Sequence, residues 1–301
     1  MIRKVAKIGP STLMVSLPNK WVKQHHIQKG QELEVQEKEG SLLIYPSSHQ
    51  GIETAEIKLE KKDQFLKRYL RSLYHRGFSE VKITCEDGID INEIKKELDT
   101  YLGFEIMEQG KNYCIIKNVA ETVEGEFDVV LRKIFFMNAG MADDSLDQIK
   151  SNNYASLNDI AAIERTNNKL VNLCYRILNK SGKMSDSQSL SIYTTLSSME
   201  NIADHYRDIC LYANEKKVKL SKNLEEFYKK VNLHYHQISG VYYKFDPMKA
   251  VDLRNNRILL INSGYKLCEK LSNEETRIIH HLLSVMNEMK DLELSLGFER
   301  V

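Results

Sequence analysis

The chain has 301 residues, which exceeds one ordinary domain and predicts two or three. Its composition, with 42% hydrophobic and 28% charged residues, is that of a globular protein and excludes an intrinsically disordered one. The formal net charge of +1 excludes any argument for nucleic-acid binding from overall charge, so such an argument depends on local asymmetry.

The cysteines and the hydropathy pattern bear on the cellular compartment. The chain has five cysteines, widely spaced and with no Cys-x-x-Cys pair, which favours a reduced intracellular protein without a zinc ribbon. The N-terminus lacks the apolar core of a signal peptide, and no run of about 18 apolar residues is present to span a membrane. The sequence therefore predicts a cytoplasmic protein that does not insert into a membrane.

Residues 1–47 alternate between polar and apolar side chains, which predicts four short strands and one short helix. The strands are "IRKVAKI", "TLMVSL" and a hairpin, "ELEVQEKEGSLLIYP", that turns at Glu39-Gly40. The helix, "NKWVKQHH", follows Pro18 and contains Trp21 as a core anchor. Because so small a core rarely folds alone, we expect an obligate dimer through this zone.

The charges of this zone are all of one sign before Glu32. The charged side chains there are Arg3, Lys4, Lys7, Lys20, Lys23 and Lys29. Lys and Arg contacts with phosphates supply most non-specific DNA affinity, and a dimer doubles the positive field. The pattern indicates a double-stranded DNA partner, although a solvated basic strand pair explains it equally well by itself.

Residues 2–46 resemble the AbrB/SpoVT-type swapped-hairpin DNA-binding domain. The matching stretches are "RKVAKIGPSTLMVSLPNKWV", "KGQELEV" and "GSLLIYP". The resemblance implies two chains that interleave their hairpins into one shared β-barrel, and it gives the DNA-contacting role to Arg3, Lys4, Lys7, Lys20 and Lys23. Antitoxins share this fold, but they usually carry a short disordered toxin-binding tail, whereas this chain continues into about 180 residues of predicted helix.

Residues 52–119 alternate strand and helix in the order β-α-β-α-β-β, which predicts a small α+β module with an open sheet. Tyr69, Arg71 and Tyr74 could line a pocket, but a helix packed on a sheet needs such side chains anyway. The stretches "LKRYLRSLYHRGFSEVKI" and "LGFEIMEQGKNYCIIKNV" resemble the linking region of archaeal proteins in which a swapped-hairpin domain is joined to a helical domain. Residues 52–119 are therefore compatible with a ligand-binding module and with a rigid spacer.

Residues 122–301 have helical spacing of apolar residues and almost no strand signal. Turn and capping residues separate six segments: 126–152, 155–181, 186–215, 221–245, 248–271 and 273–297. Short links between long helices predict an antiparallel all-α bundle. The six segments divide into three plus three, which indicates a duplicated three-helix unit.

Within "MENIADHYRDI", the acids Glu200, Asp204 and Asp208 recur every four residues and stack along one stripe of a helix. A separate apolar face leaves this stripe mostly on the surface; its residues are Ile192, Leu196, Met199, Ala203, Tyr206 and Cys210. The stripe either binds an oxygen-favouring cation such as Mn, Fe or Mg, or is a solvated face on which Arg207 pairs with Asp204.

This stretch also resembles the third-helix signature of PhoU-type phosphate regulators, while Asp159–Leu178 and Leu131–Met141 resemble their second and first helices. The resemblance implies two three-helix repeats and a divalent or ferric ion held by Glu200, Asp204 and Asp208. The chain departs from the family in two places: the second helix loses its acids apart from Glu164, and the second repeat reads "NEMKD" where Glu-x-x-x-Asp is expected. We therefore expect one partial metal stripe or none.

Three functions follow from these features. The first is a DNA-binding transcriptional regulator of phosphate uptake, whose homodimeric head binds operator DNA and whose helical body senses a metal, phosphate, or a partner such as the phosphate ABC transporter ATPase or another signalling protein. The second is an antitoxin or growth regulator that uses the body as a protein-binding platform. The third, a metalloenzyme, is disfavoured by the outward stripe and the lack of Glu-x-x-His motifs. Since no Ser/His/Asp grouping, P-loop or Rossmann fingerprint is present, the sequence predicts that the protein is not an enzyme.

Overall fold

The computed structural model describes residues 1–38, 40–46, 54–60, 65–120, 126–181 and 186–296. The chain divides into two compact units, Met1–Ile52 and Glu53–Val301. The predicted α+β module and helical domain both fall within the second unit. Glu39 of the predicted hairpin turn, and residues 61–64, with which a helix was expected to begin, lie outside the described residues.

The first unit contains two antiparallel hairpins and one short helix. Strands β1 (Ala6–Ile8) and β2 (Thr12–Met14) pair with Lys7 opposite Leu13. Helix α1 (Asn19–Gln24) follows, and strands β3 (Leu33–Lys38) and β4 (Ser41–Pro46) pair next. Gly9 lies in the turn between β1 and β2 at φ 76°, a left-handed conformation that glycine adopts without strain.

Strand β1 is shorter than the sequence predicted. The expected strand covered residues 2–8, with Arg3 and Lys7 on one face and Lys4 on the other, but the ladder begins at Ala6. Its partner β2 ends at Met14, four residues before Pro18, so residues 2–5 extend past the paired region. Arg3 and Lys4 therefore precede the strand, and only Lys7 lies in it.

The second unit begins with the predicted α+β module. Its sheet contains β5 (Thr54–Leu59), β6 (Glu80–Cys85), β7 (Phe104–Gln109) and β8 (Tyr113–Asn118) in the spatial order β5-β6-β8-β7. Strands β5 and β6 are parallel, and the other two pairs are antiparallel. Helices α2 (Leu66–His75) and α3 (Ile91–Leu98) pack their apolar residues on this sheet. The predicted order β-α-β-α-β-β is confirmed.

The remainder of the second unit is helical, and all six predicted helices form. They are α4 (Phe127–Lys150), α5 (Leu157–Ser181), α6 (Asp186–Lys216), α7 (Lys222–Tyr243), α8 (Pro247–Cys268) and α9 (Asn273–Ser295). Helices α4, α5 and α6 contact one another, as do α7, α8 and α9. The two triplets meet where α4 packs on α7 and α6 packs on α9.

The core of the helical region runs along the predicted apolar face of α6. All six residues of that face, from Ile192 to Cys210, are buried. Buried tyrosine hydroxyls in this core find polar partners, since Tyr206 donates to Asn232 Oδ1 at 3.0 Å and Tyr228 lies 2.7 Å from Ser145 Oγ. The burial of this face leaves the acidic stripe of α6 on its opposite, half-exposed side.

Candidate nucleic-acid interface and acidic helix stripe

The acidic stripe of α6 is organised around an arginine of the same helix. The Arg207 guanidinium lies 2.5 Å from an Asp204 oxygen and 2.8 Å from an Asp208 oxygen. A carboxylate of the neighbouring helix α5, Glu164, lies 3.2 Å from the same guanidinium. The predicted pairing of Arg207 with Asp204 is therefore present, and three acids share one cation.

The electrostatics of this cluster depend on partial burial. Burial raises the pKa of the Glu164 carboxyl, and the lowering effect of Arg207 does not fully offset it. Burial alone would lower the pKa of Arg207, but its hydrogen bond to Asp208 and the nearby carboxylates raise that pKa above its ordinary value. Arg207 therefore remains a cation at every physiological pH.

The first acid of the stripe, Glu200, has a different partner. Arg71 of helix α2 donates to both of its carboxylate oxygens, at 2.9 and 3.2 Å. The Glu200 side chain is 23% exposed and that of Arg71 is 43% exposed, so the pair is partly shielded from water. Both hydrogen bonds come from one nitrogen, Nη2, so the pair is charge-assisted without the two-nitrogen fork of a bidentate guanidinium contact. Glu200 thus connects the helical region to the α+β module.

The same two parts of the unit meet along α2 and α5. His75 Nε2 lies 2.7 Å from Asn172 Oδ1, and Asn179 donates to the His75 carbonyl oxygen at 2.8 Å. The buried Arg176 donates to the Tyr74 carbonyl oxygen at 2.9 Å, and its guanidinium stacks 4.9 Å from the Tyr74 ring centre. These contacts hold the α+β module against the bundle. Together with the Arg71–Glu200 pair, they give Arg71 and Tyr74 packing roles, so neither side chain has to line a pocket.

One partial metal stripe or none was expected along these acids. Two guanidinium groups already contact the three carboxylates, Arg71 at Glu200 and Arg207 at the other two. In the described part of the chain, no group of three or more His, Cys, Asp or Glu side chains is arranged to hold a metal ion. A cation at this stripe would have to displace an arginine.

A pair of histidines lies on the neighbouring side of α6. His205 Nδ1 lies 3.3 Å from Nδ1 of His281 on α9, so one ring donates and the other accepts. Burial lowers the pKa of both, that of His281 to about 4. Asn201 donates to Glu288 at 3.1 Å one turn away. This polar seam joins the two helical triplets, and His205 does not face the arginine-centred cluster as a ligand.

The predicted DNA-contacting residues are all exposed in the first unit. Arg3 and Lys4 precede β1, and Lys7 lies within it. Lys20 and Lys23 are three residues apart on α1 and therefore share one side of that helix. The structure thus presents cations from two elements, the N-terminal segment and α1, to solvent.

The first unit also exposes many apolar side chains. None of its described side chains is fully buried. Trp21 is half-buried, and the centre of its ring lies 5.1 Å from that of His25. Large apolar residues are exposed along both hairpins: Val5, Ile8, Leu13, Met14, Val15, Val35 and Leu42. The described side chains of this zone therefore provide no buried core for independent stability.

Several of these relationships are invisible in the sequence. Arg71 and Glu200 are 129 positions apart, and no local pattern links them. Glu164 was noted only as the surviving acid of α5, yet it completes the cluster around Arg207. The sequence offered one signal for these partners: three stacked carboxylates repel one another, so compensating cations are required nearby.

Comparison with known proteins bears on the first unit. Within the part of the chain that the structure describes, no helix is long and apolar enough to cross a bilayer. No curated protein matches the chain. Residues 7–50 match the model of a family described as antidote-toxin recognition MazE, bacterial antitoxin, which supports the swapped-hairpin DNA-binding head expected from the sequence.

Proposed function

We propose that the protein is a dimeric DNA-binding regulator with a MazE/AbrB-like head and a sensing or partner-binding helical body. The observation that carries the proposal is the family match over residues 7–50, together with the exposed cations of that segment. Cations presented on a domain of this type are suited to the phosphates of duplex DNA.

The exposed apolar side chains of the head support dimerisation. In a single chain, β1 to β4 form two separate hairpins whose apolar residues contact water. Interleaving two such chains into one barrel would bury those residues and double the number of cations on one surface. At about 25 cal/mol per Å² of apolar area, this burial is the main source of free energy available to so small a zone.

For the body, we propose a PhoU-like bundle of two three-helix repeats that links DNA binding to phosphate status. Two features support it. The three helices of each triplet contact one another, and equivalent helices of the two triplets also pack together, α4 on α7 and α6 on α9. The effector would be phosphate, a metal ion, or a signalling protein such as a phosphate transporter ATPase. We propose a regulatory rather than a catalytic role for this body.

A DNA-binding assay with the full chain tests the proposal. We expect retardation of duplex DNA from the protein's own upstream region at moderate salt, and loss of retardation when Arg3, Lys4 and Lys7 are all changed to Ala. A Lys230→Ala variant is the matched control, because Lys230 is exposed on α7 in the helical body. Equal affinity of the triple variant and the wild type would refute the assignment of the DNA surface.

An antitoxin function is the second candidate, favoured by the description of the matching family. In that case the helical body would bind a toxin protein, and expression of the chain would rescue cells from a co-expressed toxin. The two candidates differ in their outcome for the triple variant, because loss of the head's cations would abolish DNA binding and leave toxin rescue intact.

A further inference from the structure

Helix α8 has apolar residues on both of its sides. Its inner side packs on α7 and α9, and Leu253 and Gly264 are buried there. Its outer side exposes Met248, Val251, Ile258, Leu259 and Tyr265. These apolar side chains share the outer side with exposed polar residues such as Asn255, Asn262 and Lys266, and exposed apolar residues grouped on one helix are typical of a surface that packs on a partner.

The inner side of α8 is fixed tightly, which leaves the outer side available. A Cβ added to Gly264 would lie 2.7 Å from a Leu283 methyl carbon and 2.8 Å from the Phe227 ring, so the helices approach closely there. Glu293 of α9 joins Arg257 of α8, at 2.9 Å, to His234 of α7, at 3.0 Å, in a nearly buried triad. The outer side of α8 therefore cannot turn inward to bury its apolar residues.

The outer sides of two α8 helices are complementary when the helices lie antiparallel with their Leu259 residues aligned. Asp252 and Lys266 lie seven residues on either side of Leu259, each within about 20° of it at 100° per residue. Nearer the centre, Asn256 lies opposite Asn262 in the same reversed alignment. All four of these polar residues are exposed. A reversed second copy therefore places Asp252 against Lys266 twice, with leucine on leucine at the centre.

We propose that the outer face of α8 is a two-fold interface with α8 of a second copy of this chain. An isologous contact needs a surface that is its own complement, and this face has that property in charge and in apolar character. The antiparallel helices would bury Leu259 at the centre, Ile258 and Tyr265 at one flank, and Met248 towards each end of the contact. This interface is separate from dimerisation of the head, and it would hold two bodies together in the regulator.

Disulfide trapping in the full chain tests the interface. Four of the five cysteines are buried, so a Cys268→Ser background removes the half-exposed one. In this background, Leu259→Cys is compared with Val129→Cys on α4, because the two native side chains are 67% and 68% exposed. Under mild oxidation with diamide, we expect the Leu259→Cys chain to form covalent dimers at least tenfold faster than the control.

Charge exchange supplies the second arm. Asp252→Lys, added to the Leu259→Cys chain, places lysine against Lys266 and is expected to slow trapping at least fivefold. Adding Lys266→Asp restores the opposite charges and the rate. Both positions are exposed, so the fold is expected to be retained, and circular dichroism checks this. Equal trapping of the two cysteines, or no effect of Asp252→Lys, would overturn the interface while leaving DNA binding by the head untouched.

Discussion

Arg71 of helix α2 donates hydrogen bonds from Nη2 to both carboxylate oxygens of Glu200 on helix α6, at 2.9 and 3.2 Å. The contact joins the α+β module to the helical body at the acid with which the stripe begins. It gives Glu200 a structural role, because both oxygens of this carboxylate already accept from a guanidinium nitrogen.

The first prediction concerns this pair. In a double-mutant cycle of Arg71→Ala and Glu200→Ala, we expect a coupling energy of about 1 kcal/mol, the upper end for a partly exposed ion pair. Urea unfolding of the four proteins measures it. A coupling below about 0.3 kcal/mol would mean that the pair does not help to hold the module on the body.

A second prediction concerns the metal. If a hard cation binds the stripe, it competes with the Arg207 guanidinium for Asp204 and Asp208. We therefore expect Arg207→Gln to bind Mn²⁺ about tenfold more tightly than the wild type, which corresponds to ~1.4 kcal/mol. Titration calorimetry measures both affinities, and Glu200→Gln/Asp204→Asn is the control that should bind less than either. Equal affinity in all three proteins would leave the stripe without a metal role.

The third prediction is the cost of breaking the buried triad of α7, α8 and α9. Glu293 is 7% exposed and accepts from both His234 and Arg257, so Glu293→Ala leaves a nearly buried guanidinium without its carboxylate. We expect a loss of about 3–5 kcal/mol in the free energy of unfolding. Glu274→Ala, at an exposed position in the first turn of α9, should cost less than about 1 kcal/mol. Similar losses in the two variants would contradict the assigned role of the triad.

The fourth prediction concerns pH. Burial lowers the pKa of His75 and of His281 to about 4, below the ordinary value of 6.5. The unfolded chain therefore binds more protons between pH 6.5 and 4, and stability falls as pH decreases through that range. Among the charges facing His281, those of His205, His280 and Arg277 lower its pKa further, whereas Asp208 raises it.

Because both rings are partly solvated, we expect a loss of about 1 kcal/mol between pH 7 and pH 5. The chemical denaturation midpoint as a function of pH measures it. His281→Gln should flatten the dependence, since glutamine has no titration in this range. An unchanged pH profile in that variant would place the acid sensitivity elsewhere.

The sequence anticipated the elements whose evidence is local. Strands β5 and β6 form in the predicted α+β module, because alternating side chains and adjacent turns define them without distant partners. The six long helices follow from apolar spacing and from capping residues such as Ser272, which forms a capping box with Glu275. Strand β1 was predicted too long, because strand length depends on the paired partner as well as on the pattern.

The candidate site was only partly predictable, for a related reason. The helical repeat placed Glu200, Asp204 and Asp208 on one stripe and Arg207 beside them. It could not place Arg71 of α2 or Glu164 of α5, whose positions depend on how separate elements pack. The long-range packing therefore places two arginines against a stripe that was expected to hold metal only partially or not at all.

The salt dependence of DNA binding tests the central claim most directly. For the full chain on duplex DNA, the slope of log affinity against log salt counts the phosphates neutralised, at about 0.9 per contact. In a dimeric head, each Lys7→Ala substitution removes two contacts, so we predict a slope smaller by about 2, with no change for Lys230→Ala. An unchanged slope in the Lys7→Ala protein would contradict a DNA-binding head, and a change of about 1 would contradict its dimerisation.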